Sequence, residues 1–378
     1  MRRILVYATL LLLVVSCGNR ENNVVKIEDG QLTLVFYEQS TSSFFSDRIF
    51  GEIEMSLLET TDNCIVGRNP DLKIDDHHYF IRDYQQYFFF RFDRSGKFIN
   101  KIGSRGGGPG EYSEINDFDI DPETNTLEVL TMDGQIMKYN YDGTFLSSTK
   151  FGEDITAFIK TGDIYWINLG TSKLAHDGRL LKVSKDGTVI EKYLPLETEW
   201  PLIIDLSFSR SGNIINFKEN FNHTMYRITD NGPVATTIID FGNYDIPKSL
   251  FNMDFRAGID ELRKKGYAGI DVFIENNQFV YIKFRVIQGT DGAGYYWLVN
   301  KNTGNSVMQK FTVDDPLFVM MEMEGAKILT HDNELVFIAN AQMLRECADP
   351  FFNSAAFFKD SLSDDSNPII LSLKINDF

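Results

Sequence analysis

The segment FRFDRSGKFINKI, residues 90–102, decides the fold, because two short apolar strands flank a polar turn that ends in glycine. The same pattern returns in the segments MKYNYDGTFLSST (137–149), LLKVSKDGTVIEKY (180–193), MYRITDNGPVATTII (225–239) and WLVNKNTGNSVMQKF (297–311). The turn glycines are Gly96, Gly143, Gly187, Gly232 and Gly304, at successive intervals of 47, 44, 45 and 72 residues. Hairpins that repeat every 40 to 50 residues or so are typical of β-propeller blades.

A second, inner hairpin precedes each of these outer hairpins. Its six copies lie at 72–81, 118–130, 158–167, 208–217, 272–282 and 328–338. The outer hairpin of the sixth copy is incomplete, and a propeller usually completes its last blade with a strand from the other end of the chain. We therefore expect residues 49–59 to pair with residues near 368–376. The sequence predicts an all-β, six-bladed β-propeller with four-stranded blades, closed by an N-terminal strand in the last blade.

The longest interval between turn glycines contains an amphipathic segment. Its apolar residues follow helical spacing and are Leu250, Phe251, Phe255, Ile259 and Leu262. Pro247 suits a first turn, and Gly266 follows a basic end. The pattern predicts one inserted helix near 248–265, which either packs on the propeller flank or covers one end of the central channel.

The N-terminus has the features of a secretory leader. Two arginines precede an apolar run, residues 4–15, that is too short to span a bilayer. The following Val14-Val15-Ser16-Cys17 resembles the lipobox of bacterial lipoproteins, which implies a lipid on Cys17, and Gly18 at the next position favours the outer membrane. We expect a signal peptide at 1–16, a tether and lead-in at 17–45, and the propeller at 46–378.

Charge and cysteine content narrow the possible partners. The chain carries a formal net charge of −17, and loss of two arginines with the leader makes the mature protein more negative. This balance argues against nucleic acid and anionic lipid as partners, so the lipid anchor is the expected membrane contact. Cys64 and Cys347 lie in a compartment that permits a disulfide, and the sequence leaves open whether they pair or remain two buried thiols.

The first outer hairpin carries a family resemblance. The segment FDRSGKFINKIG, followed by GGGPGEY at 106–112, is similar to the six-bladed β-propeller lipoproteins, which are related in architecture to NHL-repeat propellers. The resemblance covers nearly the whole mature chain as architecture. It implies the propeller fold, but it brings no established activity with it.

The glycine-rich stretch KIGSRGGGPGEY, residues 101–112, looks at first like a phosphate-binding loop. It lacks the Lys-Ser/Thr pair and the following helix that such a loop needs. We interpret it as the crossover from blade one to blade two, where positive φ and close backbone approach require glycine. Arg105, Glu111 and Tyr112 are its candidates for contact with a ligand.

The repeat also predicts a ring of polar groups where each second strand ends. The ring consists of Arg82, Asp83, Asn168, Lys218, Lys283 or Arg285, and Asn340, with Trp166 and Tyr112 nearby. Mixed hydrogen-bonding groups of this kind suit a glycan, a peptide or a partner protein of the cell envelope.

Metal chemistry has weak support in the sequence. The five histidines His77, His78, His176, His223 and His331 fall in turns or long connections and show no ligand spacing. Asp117, Asp119 and Asp121 alternate along one strand and so share one side of it, but one strand supplies too few oxygens for a calcium site.

The sequence therefore favours a non-catalytic, outer-membrane-anchored binding protein without a cofactor, on either side of that membrane. No catalytic residue stands out. The alternatives are a metal-dependent lyase of the NHL kind, a glycan hydrolase, or a structural component of an envelope complex.

Overall fold

The computed structural model of the protein describes residues 25–28, 30–37, 43–170, 172–196, 198, 200, 207–311, 325–347, 351–352, 362–363 and 365–378. Cys17 and the predicted signal peptide lie outside these residues. In chain order the strands are β1 (Val25–Glu28), β2 (Gln31–Val35), β3 (Phe50–Leu57), β4 (Asp71–Ile74), β5 (His78–Asp83), β6 (Phe88–Asp93), β7 (Phe98–Ile102), β8 (Ile115–Asp121), β9 (Thr126–Thr131), β10 (Gln135–Asn140), β11 (Phe145–Lys150), β12 (Ala157–Thr161), β13 (Ile164–Asn168), β14 (Leu180–Ser184), β15 (Val189–Tyr193), β16 (Phe208–Ser211), β17 (Ile214–Phe217), β18 (Thr224–Thr229), β19 (Gly232–Asp240), β20 (Tyr267–Glu275), β21 (Phe279–Gln288), β22 (Asp291–Asn300), β23 (Ser306–Phe311), β24 (Ala326–Leu329), β25 (Glu334–Ala339) and β26 (Ile369–Ile375).

These strands form six sheets, which are the six predicted blades. Blades one to five contain β4–β7, β8–β11, β12–β15, β16–β19 and β20–β23, each in sequence order from the inner to the outer strand. Blade six has the order β24-β25-β26-β3. The β-propeller predicted from the repeat is therefore confirmed.

The ring closes where the sequence predicts it. β3 pairs antiparallel with β26, from Ile369 opposite Leu57 to Ile375 opposite Phe50. β26 is almost entirely buried because it lies between β25 and β3. Pairing the two ends of the chain in one blade satisfies the backbone groups that an open ring would leave at a sheet edge.

The outer-hairpin glycines are required by backbone geometry. Gly96 has φ +87°, and a Cβ at this position would lie 2.1 Å from the carbonyl oxygen of Leu57 in β3. Gly143, Gly187, Gly232 and Gly304 also have positive φ. The repeated glycine thus marks a left-handed turn, which in blade one also packs tightly against the neighbouring blade.

A hairpin from the predicted lead-in extends blade four. β1 pairs with β2, and β2 runs parallel to the outer strand β19. Leu32, Leu34 and Phe36 are buried in a cluster between blades four and five. Part of the segment predicted as a tether therefore belongs to the sheet, because its apolar residues fill the space between two blades.

The predicted inserted helix is present between blades four and five. It consists of a 3-10 turn, Lys248–Asn252, followed by α1 (Phe255–Lys265). Asp254 caps α1 by accepting hydrogen bonds from the backbone N–H groups of Arg256 and Ala257, and this cap separates the two pieces. Further helices are the 3-10 turns Lys173–Ala175 and Gly242–Tyr244, and α2 (Ala341–Glu346).

The two cysteines lie in different interblade clusters. Cys64 packs with residues of blades one and six, whereas Cys347 packs in the cluster between blades five and six. Both thiols are buried, and no disulfide joins them.

The connections define two faces of the propeller. On the upper face, each outer strand leads to the inner strand of the next blade, and each second strand leads to the third. On the lower face lie the turns between first and second strands and between third and fourth strands. The ligand contacts predicted at the ends of second strands and in the crossover from β7 to β8 fall on the upper face, whereas Trp166 lies within β13.

Candidate ligand-binding face

The glycine-rich crossover from β7 to β8 is a self-contained structure. Gly108 N–H donates to Glu111 Oε2 at 2.8 Å, and the Tyr112 hydroxyl donates to the carbonyl of Tyr87 at 3.0 Å. The Arg105 guanidinium lies over the Tyr87 ring at 4.3 Å. Tyr112 is buried, so its predicted contact with a ligand has no exposed surface to use, whereas Arg105 and Glu111 are exposed.

Arg82 and Asp83 are buried at the end of β5. The Arg82 guanidinium donates to the carbonyl of Asn116 at 2.9 Å and contacts the Asp71 carboxylate at 3.4 Å. Asp83 accepts hydrogen bonds from the backbone N–H groups of Gly67 and Gln85, both at 2.7 Å. These two side chains order the loops around them.

Three other predicted contacts also have structural partners. Trp166 is buried in the core between blades three and four. Asn168 donates to Ser207 Oγ at 2.9 Å and accepts from Gly170 N–H. Asn340 caps α2 by accepting from Met343 N–H at 3.0 Å. The two asparagines at strand ends thus stabilise a turn and a helix N-terminus by hydrogen bonds to the backbone.

On blade five, Asp271 contacts both cationic residues of the predicted polar ring, Lys283 and Arg285. Arg285 Nη2 and Nε donate to its two oxygens at 2.7 and 2.9 Å, and Lys283 Nζ lies 3.8 Å from Asp271 Oδ2. Burial lowers the pKa of Lys283 to about 8, while Asp271 opposes the shift. Arg285 is exposed, and Lys283 is buried.

The three alternating aspartates of β8 face blade three. The backbone N–H groups of Phe158 and Lys160 donate to Asp117 and Asp119 at 3.0 and 3.1 Å, and Lys160 Nζ donates to Asp121 at 2.8 Å. Burial raises the pKa of Asp117 to about 6, against the opposing effects of Lys73 and Arg82. Their contacts are hydrogen bonds and ion pairs that join blades, not an oxygen cage for calcium.

The histidines are spread over both faces. His77, His78 and His331 lie at lower-face turns, with His78 Nδ1 3.1 Å from Asp75 and His331 Nε2 3.2 Å from Asp332. On the upper face, the two ring nitrogens of His223 lie 3.1 Å from Asp245 and 3.0 Å from the carbonyl of Ala268. Within the described residues, no three His, Cys, Asp or Glu side chains form a group that could hold a metal ion.

A small cavity, which we call the channel cavity, lies between the inner strands of blades one, two, four, five and six. Its volume is about 90 Å³. Its charged lining residues are Asp71, Lys73, Asp119, Arg210, Lys218 and Lys327. Of the predicted ring residues, Lys218 alone is among them.

A larger cleft on the upper face, not predicted from the sequence, lies beside the inserted helix. It consists of two cavities of about 560 and 620 Å³ that share Leu196, Thr198 and Phe251. Cavities of this size are typical of ligand sites. We call this region the insertion cleft.

Trp200 organises the insertion cleft. Its ring meets those of Phe221, Phe251 and Phe255 edge-on at 5.7, 5.1 and 5.6 Å, and its Nε1–H donates to the carbonyl of Met253 at 3.0 Å. A Cβ on Gly258 of α1 would lie 2.0 Å from the Trp200 ring, so glycine allows the helix to dock. The aromatic residues of the inserted segment were the available sequence signal, but they matched equally well a helix that merely packs.

Buried charges brace the cleft wall. Arg179 and Glu219 form an ion pair in which Nη2 lies 2.6 Å from Oε2, and Asn222 donates to the same oxygen at 3.0 Å. Apolar surface remains accessible in the cleft, since its lining residues Met253 and Phe255 are 39% and 38% exposed. The site combines a polar wall of hydrogen-bonded side chains with exposed apolar side chains.

The family model "Domain of unknown function (DUF4934)" matches residues 24–374. The chain belongs to this family. Among solved structures, this DUF4934 protein is similar to a "Putative exported protein" from Bacteroides fragilis NCTC 9343, with 18% identity, a TM-score of 0.73, and coverage of 91% of this chain and 100% of that one. It is also similar to a member of the duf4221 family from Bacteroides vulgatus ATCC 8482, with 9% identity, a TM-score of 0.54, and coverage of 87% and 98%.

These likenesses concern the fold of the DUF4934 chain. Curated proteins yield no match to it. In the part of the chain that the structure describes, no helix has the length and hydropathy to cross a bilayer.

Proposed function

We propose that this protein is an exported, lipid-anchored binding protein of the cell envelope, and that its insertion cleft holds a peptide segment without catalysis. The observation that carries the proposal is the paired cavity beside the inserted helix, which is of ligand size and lies next to exposed apolar side chains. Anchoring rests on the lipobox-like sequence at Cys17. Export is also supported by the name of the similar Bacteroides fragilis protein.

The lining favours a peptide over a glycan. Leucine, isoleucine, proline and phenylalanine side chains contribute much of the wall, with Leu196, Ile246 and Phe251 among them. Apolar side chains of a peptide gain free energy when they leave water in such a cleft. The hydroxyl of Thr198 accepts from Trp200 N–H at 3.2 Å and can still donate its own hydrogen to a carbonyl of the peptide.

The test is selection of a random peptide library and a glycan panel on the immobilised mature protein. We expect retained peptides with apolar side chains, and about tenfold weaker binding of them by Phe255→Ala, since aromatic anchors carry much of the binding energy. Phe145→Ala is the matched control, because Phe145 is 37% exposed but lies on the outer strand of blade two. Retention of glycans alone, or equal effects of the two substitutions, would contradict the peptide proposal.

A further inference from the structure

We propose that the channel cavity is a second binding site, which takes one small oxyanion: a carboxylate, sulfate or phosphate group. The group is either a free ion or the end of a larger molecule. This site is independent of the insertion cleft, because the two regions share no lining residue.

The first argument is the sign of charge. Four cationic side chains line the channel cavity, against two carboxylates. The whole chain has the opposite balance, with a net charge of −17. Inner strands from separate blades therefore concentrate positive charge in one small volume of an acidic protein, and such a volume attracts anions.

The second argument is how the two carboxylates are engaged. Asp71 lies 3.4 Å from Arg82 Nη2, and Asp119 lies 3.1 Å from Arg210 Nη2. Each carboxylate of the lining thus already contacts an arginine.

Lysines supply the remaining positive charge of the lining. Lys73 comes from β4, Lys218 follows β17, and Lys327 lies in β24, so three blades contribute one ammonium group each. Lys218 Nζ also lies 3.4 Å from the carbonyl oxygen of Ile270, which is a long hydrogen bond. Ammonium groups on flexible stems adapt to the oxygens of a small anion, and each supplies up to three donors.

The pKa of the Asp71 carboxyl reflects the same positive electrostatic potential. Burial alone would raise its pKa, but Arg82, Lys327 and Lys73 hold the pKa of Asp71 below its ordinary value. Two of these three cations line the channel cavity. The field that stabilises this buried carboxylate would also act on a bound anion.

The size of the cavity limits the ligand. A volume of about 90 Å³ accommodates several water molecules, and hence a small oxyanion. A volume of this size suits one small charged group, so a larger molecule would place a terminal group there.

The location of the site can be tested on the unchanged protein. Crystals soaked in selenate should show an anomalous selenium peak within hydrogen-bonding reach of Lys73, Lys218 and Lys327. Selenate peaks that occur only outside the channel cavity, or no peak at all, would overturn the proposal. This measurement does not depend on a variant that might fail to fold.

Calorimetry at constant ionic strength measures the affinity for each anion and distinguishes a phosphate from a sugar carboxylate as the ligand group. We expect saturable binding of inorganic phosphate, at least about tenfold weaker in Lys73→Gln/Lys327→Gln. Lys185→Gln is the control, because Lys185 is 69% exposed on a lower-face turn. Tighter binding of glucuronate than of phosphate would identify a terminal sugar carboxylate as the ligand group. Tighter binding of phosphate would identify a free phosphate or a phosphate ester. Equal phosphate binding by the double variant and the control would refute the site.

Discussion

The two faces of this propeller differ in connection length and in charge. The lower face consists of short turns that repeat from blade to blade, whereas the upper face carries the long connections that include α1 and α2. A cavity at the lower mouth of the channel, of about 640 Å³, is lined by six carboxylates, three Lys or Arg side chains and one histidine. In the channel cavity, cations outnumber carboxylates.

The difference shows how one chain divides its tasks. The repeated lower turns fix the hairpins and are therefore subject to one backbone geometry. The upper connections are free to vary in length, so they form the cleft and the inserted helix beside it. Substitutions of the lower-face turn glycines should therefore affect folding, and substitutions in the upper-face connections should affect binding.

The largest effect is expected at Gly96. Gly96→Ala combines a positive φ with a Cβ that would lie 2.1 Å from the Leu57 carbonyl, so we expect a loss of roughly 3 kcal/mol or more in the free energy of unfolding. Gly162→Ala is the control, since Gly162 has φ +58° but no atom near its missing Cβ, and it should cost only about 1 kcal/mol. Denaturant unfolding of both variants measures the difference. Equal losses would mean that the interblade contact has no part in the effect.

The second effect is expected at Asp117, next to the channel. Its pKa of about 6 in the fold, against an ordinary 3.8, means that the folded state favours the protonated form. The Asp117 carboxyl therefore lowers stability as pH rises from about 4 to 6, and this contribution is absent in Asp117→Asn because the amide stays neutral. From pH 4 to pH 7, the free energy of unfolding of the variant should rise relative to that of the wild type by roughly 1 to 3 kcal/mol.

Unfolding of Asp117→Asn and wild type at pH 4 and pH 7 is the measurement. The exposed Asp163 offers a control, because Asp163→Asn should change stability little at either pH. A stability difference between Asp117→Asn and wild type that is the same at both pH values would contradict the assignment of this carboxyl.

The smallest effect is expected at the lower mouth. Asp332 is largely exposed beside His331, so Asp332→Asn should change the free energy of unfolding by less than about 0.5 kcal/mol. If anions enter the channel from the upper face, this substitution should also leave the association rate of phosphate within about twofold. Stopped-flow measurement of that rate checks it, and a marked acceleration would show that anions enter through the lower mouth instead.

The sequence alone determined the blades, the closure and the inserted helix. The blades and the helix depend on local patterns: a glycine at a left-handed turn, an alternation of apolar residues, or a helical spacing. The pairing of residues 49–59 with 368–376 followed from counting hairpins, because an unpaired edge is costly in any propeller. Such local patterns can be recognised in the sequence before the partner of each strand is known.

The tertiary structure alone decided which polar residues are available. Arg82, Asn168 and Trp166 occupy strand ends that look accessible in the sequence, yet all three are buried because neighbouring blades pack face to face. The insertion cleft joins Leu196 to Phe251, and the channel cavity joins Lys73 to Lys327. Residues so distant in the chain meet only when the ring closes, and burial and electrostatic potential are properties of that closed packing.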